Sequence, residues 1–227
     1  MDMYSRHMNL LGKMKFTKIS KASVMVAGVG GLGSTVLNLL VRLGVGTIHF
    51  FEFAEIDLPD LNRQILFNTE NIGAAKCKIA LENLKKINPN IKIIAHCEKI
   101  TKKTEIPTVD LVFDCLDNFS SRYILDDLIF SKGISMVHAG VSTYFGQLTV
   151  IIPGKTECLR KTIPLDAEKF DKTIDKEIFP PVVTTMASLQ VSEGIKYLTN
   201  DFDNLLFGKI LIIDLLSNSF DIIPLAI

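Results

Sequence analysis

Gly28-Val29-Gly30-Gly31-Leu32-Gly33 is the first run whose residue types suggest chemistry. Glycines permit a tight turn and bare backbone N–H groups at a helix N-terminus, where a phosphate is stabilised. Glu52 follows about twenty residues later, where an acid can accept hydrogen bonds from ribose hydroxyls; a solvated strand-end carboxylate is the plainer reading. These two features serve NAD or ATP equally. Asp60-Leu61-Asn62-Arg63-Gln64 and Lys76 add two cations and two amides. A triphosphate needs such cations because the charge on departing pyrophosphate must be offset, whereas backbone alone can hold the two phosphates of a dinucleotide. Asp117, within Asp114-Cys115-Leu116-Asp117-Asn118, can hold Mg²⁺ together with phosphate oxygens and water. Taken singly, it could equally cap the helix that follows.

The elements that must position these groups read as alternating strands and helices. Ser23 to Ala27 predicts a buried strand, Leu32 to Leu43 a helix and Thr47 to Glu52 a second strand, which together make one right-handed βαβ unit. Ala74 to Ile87 has helical spacing and stops at Asn88-Pro89. Strands follow at Ile91 to Ala95 and Val109 to Asp114, a helix near Ser121 to Phe130, and strands at Ser135 to Ala139 and Leu148 to Ile152. Pro153 to Pro181 reads as a long mobile loop. Thr184 to Leu198 is helical, with Met186, Leu189 and Val191 as a core stripe, and Lys209 to Asp214 with Phe220 to Ile223 forms a closing hairpin. The fold class is therefore a Rossmann-like doubly wound α/β sheet, mainly parallel with an antiparallel C-terminal portion. Residues 1–227 form one domain, with 1–20 as a helical N-terminal arm and 153–183 as the crossover loop.

Bulk properties bound the function. The 227 residues are 48% hydrophobic, enough for one core of ordinary density. Twenty-five Lys and Arg balance 25 Asp and Glu, so no general basic field holds nucleic acid or an anionic membrane. No signal-like N-terminus and no spanning apolar run is present, so a cytoplasmic location is expected. Cys77, Cys97, Cys115 and Cys158 lie far apart without a CxxC. Reduced, mostly buried thiols are expected, with no zinc. His49 and His138 fall on predicted strands and read as structural histidines.

Tyr4-Ser5-Arg6, Gly28 to Gly33, Leu61-Asn62-Arg63-Gln64, Ile72-Gly73 before Lys76, Asn88-Pro89, Asp114 to Asn118 with Arg122, Gly146-Gln147 and Ala187-Ser188-Leu189-Gln190 occur in the order and spacing of the ThiF/MoeB/HesA proteins, which the chain resembles nearly throughout. The resemblance implies ATP-dependent adenylation of a carboxylate, with release of pyrophosphate. It implies Mg-ATP contacts at Gly28, Gly30, Gly31, Gly33, Glu52, Asn62, Arg63, Gln64, Lys76 and Asn118. Arg63, Lys76 and Asp117 would be catalytic, with Asp117 on the metal. It further implies a homodimer in which Arg6 reaches into the partner's site.

The chain departs from that pattern in places. Lys155 stands where Cys158 would need a zinc-binding partner, and Thr173 lies near the usual loop cysteine. Glu52 replaces the usual aspartate, and Ala54 and Asp60 replace an aspartate and an asparagine. The expected substrate is a small-molecule carboxylate, such as the guanylylpyridinol of the Fe-hydrogenase cofactor (the HcgE-type branch), or the C-terminal Gly-Gly of a ubiquitin-like sulfur carrier. A downstream thiol protein could then accept the acyl group. The competing readings are an NAD(P)-dependent oxidoreductase, which gives Arg63, Lys76 and Asp117 no joint role, and a silent ATP-binding subunit of a heterodimer.

Overall fold

A computed structural model describes residues 3–173 and 177–225. The first two residues of the arm and positions 174–176 of the crossover lie outside the described residues. The sheet has eight strands: β1 (Ser23–Ala27), β2 (Thr47–Phe51), β3 (Lys92–His96), β4 (Leu111–Asp114), β5 (Met136–Ser142), β6 (Phe145–Ile151), β7 (Lys209–Asp214) and β8 (Ser219–Pro224). Their spatial order is β3-β2-β1-β4-β5-β6-β7-β8, parallel through β5 and antiparallel from β6 onward. The chain builds outward from β1 to β3, then returns to lay β4 on the other side of β1. That reversal opens a crevice at the carboxyl ends of β1 and β4, where ligands of such sheets bind.

Helices cover both faces, which is why residues 24–27 of β1 and 111–113 of β4 are apolar without alternation. On one face lie α3 (Gly31–Leu43), α4 (Lys76–Ile87) and α8 (Pro180–Leu198). Their Val36, Leu40, Ala80, Leu84, Met186 and Val191 are buried with Val24, Val26 and Phe113 of the sheet. On the other face lies α5 (Phe119–Phe130), whose Tyr123, Leu125 and Ile129 bury against Met25, Val112 and Met136. The expected stripe on α8 is core: Met186 and Val191 are buried and Leu189 packs beside them.

The arm forms α1 (Ser5–Leu11) and α2 (Lys13–Lys21). Tyr4 anchors it, because the Tyr4 ring lies over Gly44, where a Cβ would come within 2.8 Å. The Tyr4 hydroxyl also accepts from Nδ2 of the buried Asn88 at 2.6 Å.

Several boundaries shift for identifiable reasons. β5 and β6 extend toward each other to Ser142 and Phe145, through Gly140 and Gly146, small residues that gave no alternating signal. α8 begins at Pro180 because proline is tolerated in the first helical turn. The crossover carries α6 (Leu159–Thr162) and α7 (Ala167–Thr173), short helices fixed by contacts to α5.

One expectation is corrected. Cys77 and Cys97 are not free thiols but a disulfide, 20 residues apart, joining the start of α4 to the residue after β3. Their spacing matches no cysteine pattern; the parallel β2–β3 crossover alone brings them together. Closing such a loop restricts the unfolded chain and is worth about 3 kcal/mol. Cys115, buried, and Cys158 are free.

Candidate active site

The glycine turn leaves β1 at the crevice. Gly28 has φ +92°, and Gly33 lies so close beneath the turn that a Cβ there would be 1.9 Å from the Gly28 carbonyl oxygen. Both are glycines of necessity. Gly30 has nothing within 4 Å of a would-be Cβ, so the turn meets open space at the residue preceding α3. A cavity of about 630 Å³ opens in front of it, within the usual range for a small-ligand site.

The opposite wall centres on Asp60, whose carboxylate gathers three of the expected residues. Lys76 Nζ lies 2.8 Å from Oδ2, Gln64 Nε2 donates to Oδ1 at 2.6 Å, and Arg63 Nη2 lies 3.5 Å from Oδ1. Burial alone would raise the Asp60 pKa. Hydrogen bonds from Lys76 and the Asp57 N–H, and the charges of Lys76 and Arg63, outweigh it and hold the carboxyl below its ordinary range. Arg63 is aimed further by Nη1 donating to the Pro59 carbonyl at 2.9 Å and Asn62 Oδ1 at 3.0 Å. Gln64 Oε1 is buried without a hydrogen-bond partner, an acceptor left for a ligand donor or water. Asp60 is the residue that sequence reasoning undervalued, counting it only as a departure from the family pattern. An aspartate three residues before an arginine and four before a glutamine was the available signal.

Glu52 does not stand free. Oε2 accepts from Val29 N, and Oε1 accepts from Phe53 N and Ala54 N, all at 2.8 Å. Its added methylene lets it reach the glycine turn. One lone pair on Oε2 remains for a ribose hydroxyl.

Asp117 is exposed at the cavity. It does not cap α5: Asn118 does, its Oδ1 accepting from Ser121 N at 2.8 Å, while its Nδ2 donates to Asp117 Oδ1 at 2.8 Å. Asn118 is thus spent on the cap and on aiming Asp117. Beneath this loop, Arg122 donates to the Leu116 carbonyl at 2.6 Å and the Ala139 carbonyl at 3.1 Å. Asp171 of α7 accepts from Phe119 N (2.7 Å), Ser120 N (3.0 Å) and Ser120 Oγ (2.6 Å), pinning the crossover to the start of α5. Neither residue type nor spacing in the polar crossover singled Asp171 out.

Of the expected residues, Gly28, Gly30, Gly31, Glu52, Arg63, Gln64, Lys76, Asp117 and Asn118 line one cavity. Gly33 lies behind the turn, and Asn62 acts on Arg63 from outside the lining. Arg6 is exposed on α1, and Cys158 precedes α6; neither lines the cavity. No group of three metal-ligating side chains is found among the described residues. Asp117 Oδ2 has no protein partner there. A lone carboxylate suits Mg²⁺ completed by phosphate oxygens and water.

His138 is wholly buried, with Nδ1 2.7 Å from Asp114 Oδ2 and Nε2 3.3 Å from Gln147 Nε2. His49 Nδ1 lies 3.1 Å from His96 Nε2. The structural reading of His49 and His138 therefore holds. Desolvation lowers all three pKa values, chiefly against the Asp114 hydrogen bond at His138 and with help from neighbouring positive charge at His49. The unfolded chain then binds more protons, so stability is full above about pH 6.5 and lost as pH falls toward the folded values. Urea denaturation is expected to show a slope of up to about 1.4 kcal/mol per pH unit below that point from the buried His138, and less from the more solvent-screened, mutually contacting His49 and His96. Asp126, whose pKa burial raises, opposes this at lower pH. Equal stability at pH 7.5 and 5.5 would contradict the assignment.

The ThiF family profile matches residues 4–226. SUMO-activating enzyme subunit 2 of Dictyostelium discoideum is 38% identical over 162 residues, covering 69% of this chain and 24% of that protein. The chain thus spans about a quarter of that relative's length. The sulfur carrier protein adenylyltransferase of Thermus thermophilus is 30% identical over 232 residues, covering 97% and 85% of the two chains. Among solved structures, E. coli MccB with AMPCPP and the peptide MccA superposes with a TM-score of 0.88 at 21% identity, over 99% of this chain and 72% of that one. Among the described residues, no helix is long and apolar enough to cross a membrane.

Proposed function

Because this chain belongs to the ThiF family, we propose that it is an adenylyltransferase, joining AMP from ATP to a carboxylate and releasing pyrophosphate. The observation that carries this reading is the Asp60 cluster, which presents Lys76, Arg63 and Gln64 across the cavity from the glycine turn. An oxidoreductase leaves that cluster without work.

The substrate carboxylate attacks the α-phosphorus. The bond to the bridging oxygen breaks, and its electron pair leaves with pyrophosphate. Lys76 and Arg63 offset that developing charge, and Asp60 keeps them fixed so that no reorganisation is needed. A carboxylate is already ionised near neutral pH, so no general base is required. The glycine-turn N–H groups hold phosphate, and the remaining Glu52 lone pair takes a ribose hydroxyl. Asp117, aimed by Asn118, would hold Mg²⁺, which supplies neutralisation of the triphosphate. Arg6, exposed on α1, enters the partner's site in a homodimer. Residues 1–227 act as one adenylating domain in the cytoplasm, with 153–183 crossing over the site.

The substrate is the C-terminal carboxylate of a ubiquitin-like sulfur carrier or peptide, supported by the names of the relatives. Its adenylate passes to a thiol acceptor. ATP–pyrophosphate exchange tests this, comparing a carrier ending in Gly-Gly with the guanylylpyridinol carboxylate. Exchange with the carrier is the expected result. Exchange with the guanylylpyridinol alone would move the enzyme to cofactor biosynthesis, and exchange with neither would favour a silent subunit.

A further inference from the structure

The disulfide joins two segments that line the cavity. Cys77 directly follows Lys76, whose ammonium is held by Asp60 at 2.8 Å. Cys97 directly precedes Glu98, Lys99 and Ile100, which line the same cavity. The end of β3 is tied in turn to the end of β2. The Glu52 N–H donates to the His96 carbonyl at 3.1 Å, and the His96 ring stacks on Phe51 at 4.2 Å. One covalent bond therefore clamps the start of α4, the end of β3 and, through it, the strand end bearing Glu52. The two residues differ in access: Cys77 is 1% exposed, whereas Cys97 is on the surface.

We propose that Cys77–Cys97 is a redox-modification site for a dithiol reductant, and that its state sets the affinity of the cavity for ATP. This rests on the nucleotide-site reading. A thiolate of the dithiol attacks the sulfur of Cys97, the exposed residue of the pair, forming a mixed disulfide, and the Cys77 sulfur leaves as a thiolate that takes up a proton. The second thiol of the reductant attacks its own sulfur in the mixed disulfide and releases Cys97, which is protonated in turn. The protein gains two electrons and two protons, and the dithiol becomes a cyclic disulfide. Without the bond, Glu98–Ile100 and the first turn of α4 are held by weaker contacts. Binding then has to order them, which costs affinity.

The test uses the full chain purified without reductant. Alkylation after unfolding is expected to label two cysteines, and all four after dithiothreitol. Calorimetric titration with Mg-ATP should give a Kd about tenfold weaker for the reduced protein, restored by oxidised dithiothreitol. Cys97→Ser should bind like the reduced form and ignore dithiothreitol. Reduced wild-type protein gives the same comparison should that variant fail to fold. Four labelled cysteines before reduction, or equal affinities in the two states, would overturn the redox assignment alone. Absence of ATP binding in both states would overturn it together with the nucleotide-site reading.

Discussion

Lys76→Ala is expected to slow ATP–pyrophosphate exchange by about 10²- to 10³-fold, the usual consequence of removing one preorganised partner of developing charge. The side chain is 10% exposed and, among the described residues, is paired with Asp60 at 2.8 Å, so its role in the free protein is to stand ready beside an anion site. The loss should appear in the rate more than in KM if Lys76 meets charge that grows as pyrophosphate leaves. Asp60→Asn supplies the control. It leaves Lys76 and Arg63 charged but no longer gathered, so it should lower the rate through misplacement, and the Lys76→Ala/Asp60→Asn pair should lose less than the sum of the two. Additive losses would show that Asp60 does not act through Lys76. Full exchange in Lys76→Ala would place the departing pyrophosphate elsewhere.

Gly33→Ala is expected to have the largest effect on the fold of any single methyl addition around the cavity. The new carbon would be 1.9 Å from the Gly28 oxygen, 2.8 Å from the Gly28 carbonyl carbon and 3.3 Å from Cys115 Cβ. Two of these are backbone atoms between β1 and α3, which cannot swing aside as the end of a side chain can. Relief requires α3 to lift from the sheet, taking the phosphate-facing N–H groups with it. A loss of about 3 kcal/mol or more in urea denaturation follows, with Mg-ATP binding reduced even where the variant stays folded. Gly30→Ala meets nothing within 4 Å and should retain near-native stability, so the pair separates crowding from loss of glycine as such. Equal stabilities would contradict the close approach at Gly33.

What sequence reading recovered divides along a physical line. The strand-turn-helix at Gly28 to Gly33 was legible because tight turns and phosphate-facing helix starts tolerate few residue types. The buried strands were legible because their interiors are apolar runs, as in β4, where Leu111, Val112 and Phe113 precede the buried Asp114. The expected cavity residues were recognisable for the charge a triphosphate brings. The disulfide was not, because a bond between α4 and β3 depends on how a parallel crossover returns. Asp171 was not, because a cap donated from a distant helix leaves no local spacing. Glu52 was read for the right place but with too free a carboxylate: three backbone donors had already claimed most of it.

The Asp60 arrangement also governs how this site can change over generations. Both carboxylate oxygens are committed, one to Lys76 and the other to Gln64 and Arg63. Four positions spread from 60 to 76 are thereby inherited as one unit. A longer acid, a different cation or an exchanged amide at any one of them alters the setting of the rest, so a substitution tolerated beside one set of partners becomes harmful beside another. The exposed positions of β8 lie outside this unit and can change one at a time, while these four can move only by matched steps.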